Sequence, residues 1–214
     1  RRSVAYYDWT FSAPKSVSVF YAALLAAGAD GEAAAVRAAH DRAVETAVSF
    51  ADERVAVTRT GRHSGPRSRA GMGTFERGQG TTWTLWGHST NREDEPQLHT
   101  HGALLNRTAT ADGRITALDG ASFRGLKQAV DAVYQQALEQ LVTAAVGVAW
   151  RERPDGHARE IAGVDQALMD AASTRTGQVD ARIAALVEEF RSRTGRAPSA
   201  AAMHRIARMA VLDT

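Results

Sequence analysis

Thr81-Thr82-Trp83-Thr84-Leu85-Trp86-Gly87-His88 and, beyond the polar stretch Asn91 to Pro96, Gln97-Leu98-His99-Thr100-His101-Gly102-Ala103-Leu104-Leu105-Asn106 decide how this chain reads. The first arm alternates like a strand and the second reads as its partner. Segment 81–106 is therefore expected to be an antiparallel hairpin with a longish loop. In a strand, residues i and i+2 point the same way, about 6–7 Å apart at the backbone. His99 and His101 then project together from one face. His88 precedes His99 by eleven residues and falls across the ladder, near His99 or His101. Three neutral nitrogen donors leave a bound cation its full charge and open positions, which suits polarisation of a phosphate better than a closed structural site. A bare His-x-His pair also occurs on ordinary strands, so His88 is what tips the reading toward metal. His40, His63, His157 and His204 stand alone on expected helices or loops and read as structural or exposed.

Working outward, Val4 to Phe11 reads as a strand with Val4, Tyr6 and Asp8 on one face and Ala5, Tyr7 and Trp9 on the other. Ser12-Ala13-Pro14 opens a helix that runs to about Ala27, and a second helix covers about Glu32 to Glu53. Val55 to Arg59 is a possible short strand, and the Arg/Gly/Ser-rich segment from Thr60 to Gly80 reads as loop. Ile115 to Leu118 is short and strand-like. Leu126, Val130, Val133, Ala137, Leu141 and Ala144 mark a long helix over about 123–146. Val148 to Arg153 and Ala158 to Ala162 form a hairpin around Pro154-Asp155-Gly156. From Asp165 onward the pattern is helical, with breaks expected at Gly177 and at Gly195 to Pro198. The order predicts an α+β fold, a central antiparallel sheet flanked by helices with a mostly helical C-terminal extension. Residues 1–163 are read as the core and 164–214 as the helical part.

The chain has 214 residues, 44% hydrophobic and 23% charged, with no cysteine. This is globular composition without disulfides, thiolate nucleophile or sulfur-bound zinc. No run approaches the roughly 20 apolar residues that span a bilayer, so no membrane insertion is expected. The start, Arg1-Arg2-Ser3-Val4, has no initiator methionine and reads as the start of an excised piece. Net charge is only +2, yet Arg54 to Arg77 holds six arginines against the single acid Glu76. That segment is either a solvated loop or a phosphate-contacting one.

Asp8 is out of place in the strand Tyr-Asp-Trp-Thr-Phe. It is either an edge or turn residue, or a carboxylate that aims a metal-bound histidine or accepts a nucleophile's proton. Its surroundings decide. Asp8-Trp9-Thr10-Phe11-Ser12-Ala13-Pro14-Lys15-Ser16-Val17-Ser18 resembles the D-x-T-F-S-A-P-K-S-V-S motif of conjugative relaxases of the MobF (TrwC/TraI) family. His88, Pro96-Gln97-Leu98-His99-Thr100-His101 and Asn106 resemble that family's metal motif, and Ala39-His40-Asp41-Arg42-Ala43-Val44 is also similar. The likeness is strong over about 4–50 and 85–145 and weaker toward the C-terminus. Glu95 departs from the family's usual Asp before the Pro, and 59–80 is longer and richer in arginine.

The resemblance implies an HUH-type endonuclease that nicks single-stranded DNA at an origin of transfer by tyrosine transesterification. It implies His88, His99 and His101 as ligands of a divalent ion, Mg²⁺ or Mn²⁺, with Zn²⁺ or Ni²⁺ also acceptable to three imidazoles. Asp8 becomes the catalytic carboxylate. Lys15, Arg59, Arg62 and Arg107 become candidate DNA contacts. The family's nucleophilic tyrosine lies well before the Asp motif, so Tyr6 and Tyr7 are not read as nucleophiles. Tyr6 is expected in or near the site and Tyr7 against a helix. The implied partners are an origin hairpin, a C-terminal helicase region and secretion machinery, in the cytoplasm of a bacterial donor cell. A metal- and DNA-binding module without catalysis is the alternative. A metal-dependent hydrolase of small molecules is a third, opposed by the arginines and the motifs.

Overall fold

A computed structural model describes residues 4–61, 73–123, 125–153, 156 and 158–213. The chain divides into two compact units, Arg1–Thr90 with Pro96–Gly163, and Asn91–Glu95 with Val164–Thr214. The fold is α+β.

The first unit is built on a three-stranded antiparallel sheet. Its strands are β1 (Tyr6–Ser12), β4 (Trp83–Thr90) and β5 (Pro96–Leu105), in the order β1-β5-β4. The expected hairpin is β4–β5. Its register sets His88 directly opposite His99 and Trp86 opposite His101. On the other edge of β5, Thr10 faces His101 and Asp8 faces Ala103. Alternation then sorts the faces. Leu98, Thr100 and Leu104 are buried on one side, while His99 and His101 stay partly open on the other.

The buried side is covered by helices. After β1 come α1 (Lys15–Ala26) and α2 (Asp30–Val55), and α3 (Leu126–Val146) follows later. α3 buries Val130, Tyr134, Leu138 and Val142, one residue per turn. α2 buries mainly small residues, among them Ala39, Ala43, Ala47 and Ala51, which bring its backbone close to its neighbours. Burying each large apolar side chain contributes about 1.5–3 kcal/mol. A side chain at Gly87 on β4 would meet the guanidinium end of the flexible Arg37 side chain of α2 and displace it.

Two small pairs complete this unit's sequence between α2 and α3: β2 (Val57–Thr60) with β3 (Thr74–Arg77), and β6 (Thr108–Ala109) with β7 (Ile115–Thr116). β3 corrects the reading of 60–80 as loop throughout. Four residues suffice because β2 is there to pair with them. After α3, β8 (Trp150–Glu152) pairs with β9 (Arg159–Ile161). The turn residues Pro154 and Asp155 lie outside the described residues, as do Arg62, His63 and His157.

α1 starts at Pro14 without a side-chain cap. Its free amide at Ser16 donates instead to the Glu160 carboxylate of β9 at 2.8 Å, and Ser16 Oγ accepts from Ile161 N at 2.7 Å. Arg153 pairs with the same buried carboxylate at 3.4 Å. At the other strand, Ser18 Oγ accepts from Leu98 N at 2.9 Å. The two-residue spacing of Ser16 and Ser18 thus pins α1 between β9 and β5.

The second unit holds α4 (Gln166–Ala171), α5 (Thr174–Thr194) and α6 (Ala200–Asp213). α5 runs straight through Gly177, correcting the expected break there. The interruption falls at 172–173 instead. The break at Gly195 is present, with Gly195 in the left-handed region at φ +67°. Leu186, Ile206 and Ala210 form the small core, with Ile183 and Phe190 packed on it. Glu95 caps α5: its carboxylate accepts from Thr174 N at 2.6 Å and from the Thr174 hydroxyl.

Glu160→Ala is expected to lower stability by about 1–3 kcal/mol, because it strands the buried Ser16 amide. Urea unfolding checks it. An unchanged midpoint would show that the amide finds another acceptor.

Candidate metal centre

His88 ends the well-paired part of β4, just before a register irregularity between His88 and Thr90. His99 and His101 follow on β5. Their three rings form a triangle with centroids 5.1 Å (His88–His99), 5.7 Å (His88–His101) and 5.2 Å (His99–His101) apart. Metal–nitrogen bonds of about 2.0–2.1 Å at tetrahedral to octahedral angles put such centroids roughly 4.5–5.2 Å apart. The observed triangle is slightly wider. Among the described residues, no three His, Asp or Glu side chains are placed so that they could hold a metal ion as they stand. Closing the triangle needs ring movements of well under an ångström on the longest side, while the backbone is already set by the ladder.

The hydrogen bonds decide which nitrogens are on offer. His101 Nδ1 lies 3.1 and 3.2 Å from the two Asp8 carboxylate oxygens, with Thr10 Oγ1 at 3.4 Å. An Nδ1–H donating to Asp8 leaves Nε2 with its lone pair outward. His99 Nδ1 sits 2.9 Å from the Gln97 carbonyl, which has the same effect. Burial lowers the His99 pKa, opposed by the Gln97 carbonyl and reinforced by His101 and His88. A neutral imidazole is the form a cation needs. The donor set, three imidazoles with a carboxylate behind one of them, fits a divalent metal.

The same face carries Tyr6, Thr84, Trp86 and Leu105, which with Asp8, His88 and His101 line a shallow cleft of about 470 Å³. Trp86 is 51% exposed and Tyr6 58%. Tyr7 points the other way, edge-on to Phe123 at 5.0 Å.

The cationic candidates are dispersed. Lys15 Nζ donates to the Pro96 carbonyl at 3.0 Å, at the start of β5. Arg59 belongs to the β2–β3 pair, where it meets Asp119 at 3.3 Å and lies over the Phe75 ring. Arg107 donates to the Asn106 carbonyl at 2.7 Å. Asn106 is a tie, donating from Nδ2 to Val4 O at 2.7 Å and accepting from Leu118 N at 3.0 Å.

His40, read from the sequence as structural or exposed, is structural: it is fully buried beneath β5, with Nε2 2.9 Å from Thr100 Oγ1 and Nδ1 2.9 Å from the Tyr134 hydroxyl. Burial pulls its pKa down to about 4, partly offset by Asp41 and aided by Arg37 and His99. The signal for it was the His-Asp-Arg segment between the two main motifs.

The fold and the site define a class: an α+β protein that presents three imidazoles and a supporting carboxylate on the open face of an antiparallel sheet. A family profile described as TrwC relaxase matches residues 1–214, and the chain belongs to that family. Among solved structures it is similar to the conjugative relaxase TrwC in complex with oriT DNA in a metal-bound structure. That match has 29% identity and TM-score 0.71, and covers 96% of this chain and 64% of that one. A copper-bound complex of TrwC with oriT DNA matches at 29% identity and TM-score 0.71, over 96% and 63%. TrwC with a 27-mer comprising the recognition hairpin and the cleavage site matches at 30% and 0.69, over 95% and 65%. The chain thus spans less than two thirds of these structures. No curated protein matches it.

The folded pKa of His40 lies below its unfolded value near 6.5, so the unfolded chain binds more protons between those two pH values. Stability is therefore full above pH 6.5, falls as pH drops toward 4, and loses about 3 kcal/mol through this group. His99 contributes in the same direction. Unfolding in chelator at pH 7.5, 5.5 and 4.5 checks it. His40→Gln should flatten the slope, and an equal slope in both proteins would refute the assignment.

Proposed function

We propose that this chain is the metal- and DNA-binding core of a relaxase that nicks single-stranded DNA at an origin of transfer. The observation that carries this is the alignment Asp8–His101 beside His99 and His88 on one exposed sheet face. His88, His99 and His101 would hold a divalent ion, Mg²⁺ or Mn²⁺ in the cell, which when bound would supply positive charge to neutralise and orient the scissile phosphate. Asp8 fixes the His101 tautomer so that Nε2 faces outward, and its place on Nδ1 favours that role over proton removal from the nucleophile.

The reaction is a transesterification. A tyrosine oxygen bonds to phosphorus, the 3′-oxygen leaves as a hydroxyl, and a 5′-phosphotyrosyl link conserves the bond for rejoining. None of the four tyrosines here supplies that oxygen. Tyr21 lies on α1, among the helices on the other side of the sheet from the histidines. Tyr134 is buried. Tyr7 packs on Phe123. Tyr6 shares the site face, but it lies four residues along β1 from Thr10, the partner of His101, about 13 Å at strand rise. The nucleophile therefore belongs to another part of the whole protein, along with the helicase region and the contacts to secretion machinery. Lys15, Arg59, Arg62 and Arg107 remain the proposed phosphate contacts. That proteins of similar structure are solved on oriT DNA supports this reading.

Calorimetric Mn²⁺ titration is expected to show binding that His99→Ala/His101→Ala abolishes and Asp8→Asn weakens by about 10–100-fold. Equal binding by all three would refute the site. A hairpin oligonucleotide with a single-stranded extension should bind with an affinity that falls about tenfold or more between 50 and 200 mM salt. Salt-independent binding, measured by anisotropy, would count against a phosphate-contacting surface.

A further inference from the structure

His99 and His101 flank Thr100, whose side chain points through the sheet to the helical side. Thr100 is 4% exposed there, and its hydroxyl meets His40 of α2. The other His40 nitrogen meets the hydroxyl of Tyr134 on α3. A three-member polar chain thus crosses an otherwise apolar layer and ends on the residue between two proposed ligands. Apolar packing alone resists sliding weakly. A directional hydrogen bond fixes both the height and the rotation of the strand segment it holds. In β5 any turn of the Thr100 peptide changes where both flanking imidazoles aim.

We propose that His40 is a positioning residue of the metal centre, locking Thr100 against Tyr134 and so aiming His99 and His101. This rests on the metal-centre reading above. His40 suits the role because burial keeps it uncharged, so one ring nitrogen donates while the other accepts. Tyr134 keeps its proton, its pKa raised by burial and by Asp131 and Asp41. Gln or Asn in place of His40 would not span two hydroxyls in one rigid plane, and an apolar residue would leave both without partners.

Co²⁺ is the probe, since its visible absorption reports both affinity and ligand geometry. The test variants are Thr100→Val, which keeps the shape and removes the hydroxyl, Thr100→Ser, which restores it, and Tyr134→Phe. Each is titrated well below its unfolding temperature, with Tm measured separately. The expected result is Co²⁺ binding about 10–100-fold weaker and an altered absorption band for Thr100→Val, with Thr100→Ser close to the unsubstituted chain. Tyr134→Phe should fall between them. His40→Gln, where it folds, should match Thr100→Val. Unchanged affinity and band shape in Thr100→Val and Tyr134→Phe, whatever happens to Tm, would show that the chain of hydroxyls is core packing only and overturn the proposal. Failure of the unsubstituted chain itself to bind Co²⁺ would overturn the metal-centre reading beneath it.

Discussion

β5 is hydrogen-bonded along both edges, so its side chains have only two directions open to them. That restriction organises the first unit. Leu98, Thr100 and Leu104 are committed to the helices, and His99 and His101 are committed to the open face. A slip of one residue would exchange the two sets and bury imidazoles while exposing leucines. The hydrophobic cost of that exchange is what holds the histidines on the open face. Asp8 depends on the same ladder, because the β1 register carries it to within reach of His101.

Much of this was legible in the sequence because it is local. The two-residue period of 83–90 and 96–105 is visible without any long-range knowledge, and so is the pairing of His88 with the His-x-His segment. The alternation of β1 put Tyr6 and Asp8 on one face and Tyr7 on the other, as the structure has them. The family resemblance attached chemistry to positions that spacing alone left as a plausible metal site.

What escaped the reading was settled at long range or against weak local signals. β3 lies next to an arginine- and glycine-rich run whose composition says loop, and it exists through pairing with β2. α5 tolerates Gly177 in its exposed first turns, where a helical glycine costs only about 1 kcal/mol. His40 looked like an isolated helical histidine because its partners are 60 and 94 residues away. Glu160 gave no hint of its role for the same reason. Arg59, proposed as a phosphate contact, also meets Asp119 and Phe75, partners that local sequence does not reveal.

The Glu160 cap has a consequence for how the chain is made. The first turn of α1 waits for an acceptor 144 positions downstream. At about 5–20 residues per second, translation delivers that acceptor roughly 7–30 s after the helix has been synthesised. β1 likewise has to wait for β5. The Asp-x-Thr-Phe-Ser segment therefore emerges before its partners and locks late. During that interval its aromatic side chains lack the partners that later cover them, beside a helix whose first turn has no side-chain acceptor.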